Sequence, residues 1–152
     1  MPDNPGVRIP PPLFYAAAVI GGWALNRRIP LPVSSATPVH ALAWIFVLMW
    51  AALTAASIGL FRRSRTSMLP VRPAASLVIR GPYRITRNPM YVGLAFLTIG
   101  LGLFINSWWP IILLVPTVVV VQQFVIVREE NYLRRRFGAQ YDAYTKQVRR
   151  WL

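Results

Sequence analysis

Only four of the 152 residues are acidic, and the two glutamates stand side by side as Glu129-Glu130. Neighbouring residues on a helix point about 100° apart, so the two carboxylates divide their work. Glu130 has Arg134 four residues on, a favourable surface pair. Glu129 has Val125, Ile126, Tyr132 and Leu133 at its helical neighbour positions and no base among them. An ionisable group facing apolar surroundings near hydrocarbon points to function. The competing reading has both glutamates merely contacting arginines of a positive loop. A second cluster runs Arg80-Gly81-Pro82-Tyr83-Arg84-Ile85-Thr86-Arg87-Asn88-Pro89-Met90-Tyr91-Val92-Gly93. Gly81-Pro82 reads as a turn, and Asn88-Pro89 as an N-cap followed by the first residue of a helix. The backbone N–H groups of that helix start, with Arg84 and Arg87 beside them, suit an anionic group. The plainer alternative is that Asn88 only caps the helix and the arginines only anchor it to lipid headgroups. With no cysteine and a single histidine, His40, thiolate chemistry and multi-histidine metal centres are excluded, and no metal site is expected.

The elements that must position these groups are apolar helices. Hydrophobic residues make up 55% of the chain, mean hydropathy is +0.44, and 14% of positions are charged. An average soluble domain carries nearly twice that share of charge. The net charge of +13 comes almost entirely from arginine. Long runs of Ala, Val, Ile, Leu, Phe and Trp point to a bilayer with anionic headgroups rather than to nucleic acid as the partner. The chain reads as a single all-α membrane domain over residues 1–152. Its spans fall at about 11–28, 39–61, 89–105 and 110–127, with an interfacial amphipathic helix at about 128–149. The first stretch is a mature helix rather than a secretory signal, since no basic leader precedes it and Arg27-Arg28 follow directly. Asn106-Ser107-Trp108-Trp109 makes a tight hairpin of the third and fourth spans. With both termini in the cytoplasm, every base except Arg27 and Arg28 lies on the inner side. The loop of residues 62–88 and the tail then share the cytoplasmic face. In the tail, Leu133, Phe137, Tyr141, Tyr144 and Val148 form an apolar stripe suited to the headgroup layer.

Gly81-Pro82-Tyr83, Arg87-Asn88-Pro89-Met90-Tyr91-Val92-Gly93, Glu129-Glu130, Leu133, Phe137-Gly138, Tyr141, Tyr144 and Val148 together resemble the C-terminal signature of the isoprenylcysteine carboxyl methyltransferase family and its phospholipid methyltransferase relatives. The resemblance covers residues 77–151. It implies an integral inner-membrane enzyme using S-adenosyl-L-methionine, with the cofactor site built from the loop and the C-terminal helix. By the same resemblance the cofactor is held by Leu77, Val78, Tyr83, Asn88, Pro89, Met90, Tyr91 and Glu129, within a loop segment beginning near residue 75. Glu129, Glu130 and Arg87 are the expected catalytic residues. The phospholipid enzymes also use a Gly-x-Gly, which Gly100-Leu101-Gly102 resembles; the alternative role for Gly93 and Gly100 is helix packing.

Two positions depart from the prenylcysteine pattern. Asn88 stands where those enzymes carry histidine. Val125 stands where they carry an arginine thought to hold the substrate carboxylate, leaving Arg128 as the substitute. The expected activity is methyl transfer to a membrane-soluble acceptor, foremost O-methylation of a prenyl-type carboxylate. N-methylation of a phospholipid amino headgroup and S-methylation of a small thiol are the alternatives. Outside that class stand a four-span scaffold and a nicotinamide-dependent lipid reductase.

Overall fold

The computed structural model describes residue 6 and residues 9–64 and 76–152; the middle of the expected cytoplasmic loop, residues 65–75, lies outside them. The described residues are helical, with one isolated bridge pairing Thr86 with Arg149 and no strand. Four apolar helices form the bundle: α1 (Pro11–Arg28), α2 (Thr37–Arg63), α3 (Pro89–Phe104) and α4 (Trp109–Val121). Each opens with proline in its first turn and none has a side-chain cap. Proline fits there because the N–H it lacks would find no acceptor within the helix. α1 and α2 end on Arg27-Arg28 and Arg62-Arg63, whose charge suits the negative end of the helix dipole.

α4 runs on through a wide π-turn, Gln122–Ile126, into α5 (Val127–Phe137). The 27-residue α2 and the 29-residue rod Trp109–Phe137 are each long and apolar enough to cross a membrane. α3 is apolar but shorter at 16 residues, and α1, 18 residues, runs unbroken through Gly21-Gly22 and closes on Asn26-Arg27-Arg28.

α1 packs on α4 and α2 on α3. Gly22 makes the first contact possible, since a Cβ there would lie 2.5 Å from Pro110 N. The outer faces stay apolar, with Leu13, Ile20, Trp44, Ile45, Leu48, Val115, Val119 and Phe124 exposed. At one end the expected 106–109 turn locks onto the α1–α2 loop. Asn106, at φ 52°, accepts from Val33 N and Ser34 N at 3.0 and 2.9 Å, Trp108 N donates to Leu31 O at 3.0 Å, and Trp109 Nε1 donates to Ile29 O at 2.7 Å.

The tail departs from the single helix expected over residues 128–149. It breaks at Gly138 into α5 and α6 (Ala139–Gln147). Gly138 holds φ 49° and ψ −126°, a conformation open essentially to glycine alone. The apolar stripe of the tail does not lie bare: Tyr141, Tyr144 and Val148 are buried, and Leu133, Phe137 and the loop residue Leu77 pack on them.

Candidate active site

The end of the bundle opposite the tryptophan turn gathers the start of α3, the exit of the 109–137 rod and the last residues of the tail. Backbone pairing sets this junction. Arg87 N donates to Arg149 O at 2.9 Å, and Thr86 Oγ1 donates to Arg150 O at 3.0 Å. Asn88 departs from its expected role as a cap: its side chain makes no capping bond, and Nδ2 instead donates to Arg150 O at 2.9 Å. The N–H groups of Tyr91 and Val92 return to Asn88 O at 3.0 Å each, so the helix start offers an anion less than its sequence suggests. The local reason is Thr86, whose hydroxyl also accepts from Asn88 N at 3.2 Å and fixes the turn without help from the asparagine side chain.

The two glutamates divide as their helical separation requires, with partners that differ from the expected ones. Glu130 takes a two-pronged contact from Arg150, at 2.9 Å from Nε and 2.7 Å from Nη2, and a further cation, Arg87 Nη1, stands at 3.3 Å. Its side chain is only 10% exposed. Arg134, expected to pair with it, turns instead to Asp142 at 2.9 Å on the surface. A buried carboxylate needs its lone pairs filled, and the planar fork of Arg150 fills them better than a solvated neighbour one turn away. Glu129 has no ion pair among the described residues; its Oε1 accepts a 2.8 Å hydrogen bond from the Tyr91 hydroxyl.

Three further groups surround the Tyr91–Glu129 pair. Tyr83, in the 3₁₀ turn Gly81–Arg84, stands edge-on to Phe61 of α2 at 5.7 Å and lies within electrostatic reach of Glu129. Burial pushes its phenol up from the ordinary range, so it stays a proton donor. The Tyr83 carbonyl accepts from the Tyr144 hydroxyl at 2.6 Å, which ties α6 to the turn. Ser57 of α2 is fully buried beside the Tyr83 hydroxyl without reaching hydrogen-bond geometry. Tyr15 of α1, 2% exposed, packs in one cluster with Tyr91 and Trp151.

Of the residues expected to hold a cofactor, Tyr83, Tyr91 and Glu129 therefore come together. Pro89 and Met90 lie beside them in the first turn of α3, Pro89 buried and Met90 partly so. Asn88 is at the same junction with its side chain turned to the tail. Leu77 packs on the tail cluster, Val78 is buried, and residue 75 lies outside the described residues. Of the expected catalytic residues, Glu130 and Arg87 form one ion cluster and Glu129 stands apart from it. Arg84 is exposed.

Tyr15 and Ser57 are site neighbours that the sequence does not mark. Their only signal there is a hydroxyl on an otherwise apolar stretch, which any span can carry. Gly93 and Gly100 face α2, where a Cβ on Gly100 would lie 3.0 Å from Ala43 O, and Gly102 faces Ser107 and Pro110. These glycines serve helix packing. Val125 is 1% exposed within the α1–α4 core, and Arg128 reaches Gly6 O at 3.4 Å on the surface.

The phospholipid methyltransferase family matches residues 39–140, a stretch that takes in α2 through α5 with Tyr83, Tyr91 and Glu129. The chain belongs to that family. This agrees with the resemblance carried by the Gly81–Gly93 and Glu129-Glu130 motifs, and on its phospholipid side. Membership together with the apolar helices makes this an integral-membrane protein of a methyl-transferring class. An uncharacterised protein of Haemophilus influenzae is 36% identical over 66 residues, which is 41% of this chain and all of that protein. No solved structure matches the chain.

Proposed function

We propose that this chain uses S-adenosyl-L-methionine to methylate a lipid-soluble acceptor at the cytoplasmic face of a four-span bundle, and that the acceptor is an amino headgroup. The observation that carries this reading is Glu129, a carboxylate turned into the protein with a phenol for a partner and no cation among the described residues. A carboxylate flanked by tyrosines fits a ligand that brings its own positive charge, and the cofactor is such a ligand. Once bound, the cofactor supplies a methyl group made electrophilic by a sulfonium, so the protein has to align a nucleophile and keep water away.

The chain's residues fall into three tasks. Tyr91 orients the Glu129 carboxylate and Tyr83 closes the α2 side of the site. Arg87, Glu130 and Arg150 pin the start of α3 to the tail and thereby hold Tyr91 in place. An ammonium acceptor must lose a proton before it can attack. Glu129 is the carboxylate available for that proton, because both oxygens of Glu130 are already engaged by arginines. The carboxylate acceptor suggested by the prenylcysteine resemblance would want a cation where Val125 is buried, and Arg128 faces Gly6 instead. The amine is therefore favoured.

The test incubates purified protein with radiolabelled methyl donor and extracted membranes. Label that stays on a non-volatile amine headgroup through alkaline treatment supports the amine, whereas label released as volatile methanol marks a methyl ester and returns the acceptor to a carboxylate. Label in a small thiol would mean S-methylation. S-adenosylhomocysteine should raise the melting temperature in detergent. Stabilisation by NADPH instead would indicate a reductase, and indifference to both would indicate a scaffold.

A further inference from the structure

Among the described residues, three buried side-chain polar atoms find no hydrogen-bond partner: Tyr15 Oη, Ser57 Oγ and Arg87 Nε. Arg87 already has Glu130 on another nitrogen, and Ser57 lies beside the Tyr83 hydroxyl. Tyr15 is different. Its ring sits among Val121, Val125 and Ile126, with Phe14, Leu94, Ala95 and Leu114 around them, and Tyr91 is the group through which this cluster touches Glu129. A phenol hydroxyl buried in hydrocarbon without a partner is costly, and phenylalanine would fill the same space without that cost. Tyrosine at this position therefore has a use that the protein alone does not supply.

Placement indicates what that use is. Tyr83 and Ser57 approach Tyr91–Glu129 from the α2–α3 side, and Tyr15 approaches from the α1–α4 side. On the latter side the outer surface next to the cluster is apolar, with Leu13 and Phe124 each more than half exposed, as a face open to acyl chains would be. We propose that the Tyr15 hydroxyl is a specificity-determining contact for the lipid acceptor, hydrogen-bonding a polar atom of its headgroup while the donor occupies the Tyr83 flank. This rests on the methyltransferase reading given above and adds to it the side from which the acceptor enters.

The experiment compares the wild type with Tyr15→Phe in detergent, using three readouts. The melting temperature without ligand should rise, because the unpaired hydroxyl is gone. The dissociation constant for S-adenosylhomocysteine should stay within about twofold, while the concentration of extracted lipid giving half-maximal label transfer should increase about three- to tenfold, the worth of one neutral hydrogen bond. Unchanged lipid dependence would overturn the proposal. So would a loss of S-adenosylhomocysteine affinity with lipid dependence intact, which would move Tyr15 to the donor side, or a fall in melting temperature as the sole effect, which would make the residue structural. Independently of any variant, a photoreactive aminolipid should crosslink the wild type on α1 near Tyr15, and crosslinks confined to α2 and α3 would also overturn it. A wild type that neither responds to S-adenosylhomocysteine nor transfers label fails at the earlier reading, before Tyr15 is in question.

Discussion

Glu129 and Glu130 share a peptide bond and little else. Glu130 is compensated by Arg87 and Arg150, so truncating it leaves the 13%-exposed Arg87 buried without its carboxylate, with the Tyr141 phenol beside it. Glu130→Ala should destabilise the protein by about 3 kcal/mol, read as a drop in thermal stability with or without ligand. Glu129→Gln keeps the size of the side chain and an oxygen for the Tyr91 hydroxyl, so the fold should survive while S-adenosyl-L-methionine, which carries the sulfonium charge, binds about ten- to a hundredfold more weakly, the range of one interaction with a charged group, as measured by calorimetry. If Glu129→Gln kept full affinity and Glu130→Gln lost it, the assignment of the two carboxylates would be reversed. Sequence alone separates them because the helix period is a local property. It cannot find Arg87 and Arg150, which meet Glu130 only after distant segments close. A surface i, i+4 pair is worth about 0.3–0.5 kcal/mol, too little to hold Glu130 against a buried two-pronged contact.

Helix starts are legible because proline marks them chemically: the residue that cannot donate is placed where no donor is needed. Helix Pro89–Phe104 begins at the proline that the Asn88-Pro89 step indicates. The break at Gly138 is harder to read, since the stripe from Leu133 to Val148 continues at nearly helical spacing across it. Only the backbone angle distinguishes two short helices from one. Gly138→Ala places a Cβ in a conformation that costs about 1–3 kcal/mol. The variant should loosen α6, lower the melting temperature and speed proteolytic cleavage within residues 138–148, and unchanged cleavage there would show that the kink is not needed. The asparagine cap fails for a related reason. Asn88 has the right side chain for a cap, but the Thr86 hydroxyl and the Arg150 carbonyl engage its groups first.

For the molecule as a whole, the arrangement of charge sets the expected orientation, with Arg27 and Arg28 outside and all other bases within the cell. The absence of cysteine makes this directly measurable, because any single introduced thiol is the only one. Ser34→Cys should react with a membrane-impermeant maleimide added to intact cells, and Gln140→Cys should react only after the cells are opened; the reverse pattern would invert the topology. The pairing of α1 with α4 and α2 with α3 is not legible either, because hydropathy marks spans without saying which neighbours they choose. The Arg150–Glu130 clasp has a consequence for synthesis. Arg150 follows Glu130 by 20 residues in the chain, so the ribosome releases the carboxylate before the guanidinium that clasps it, and the junction beneath α3 can close only once the segment carrying Arg150 has emerged.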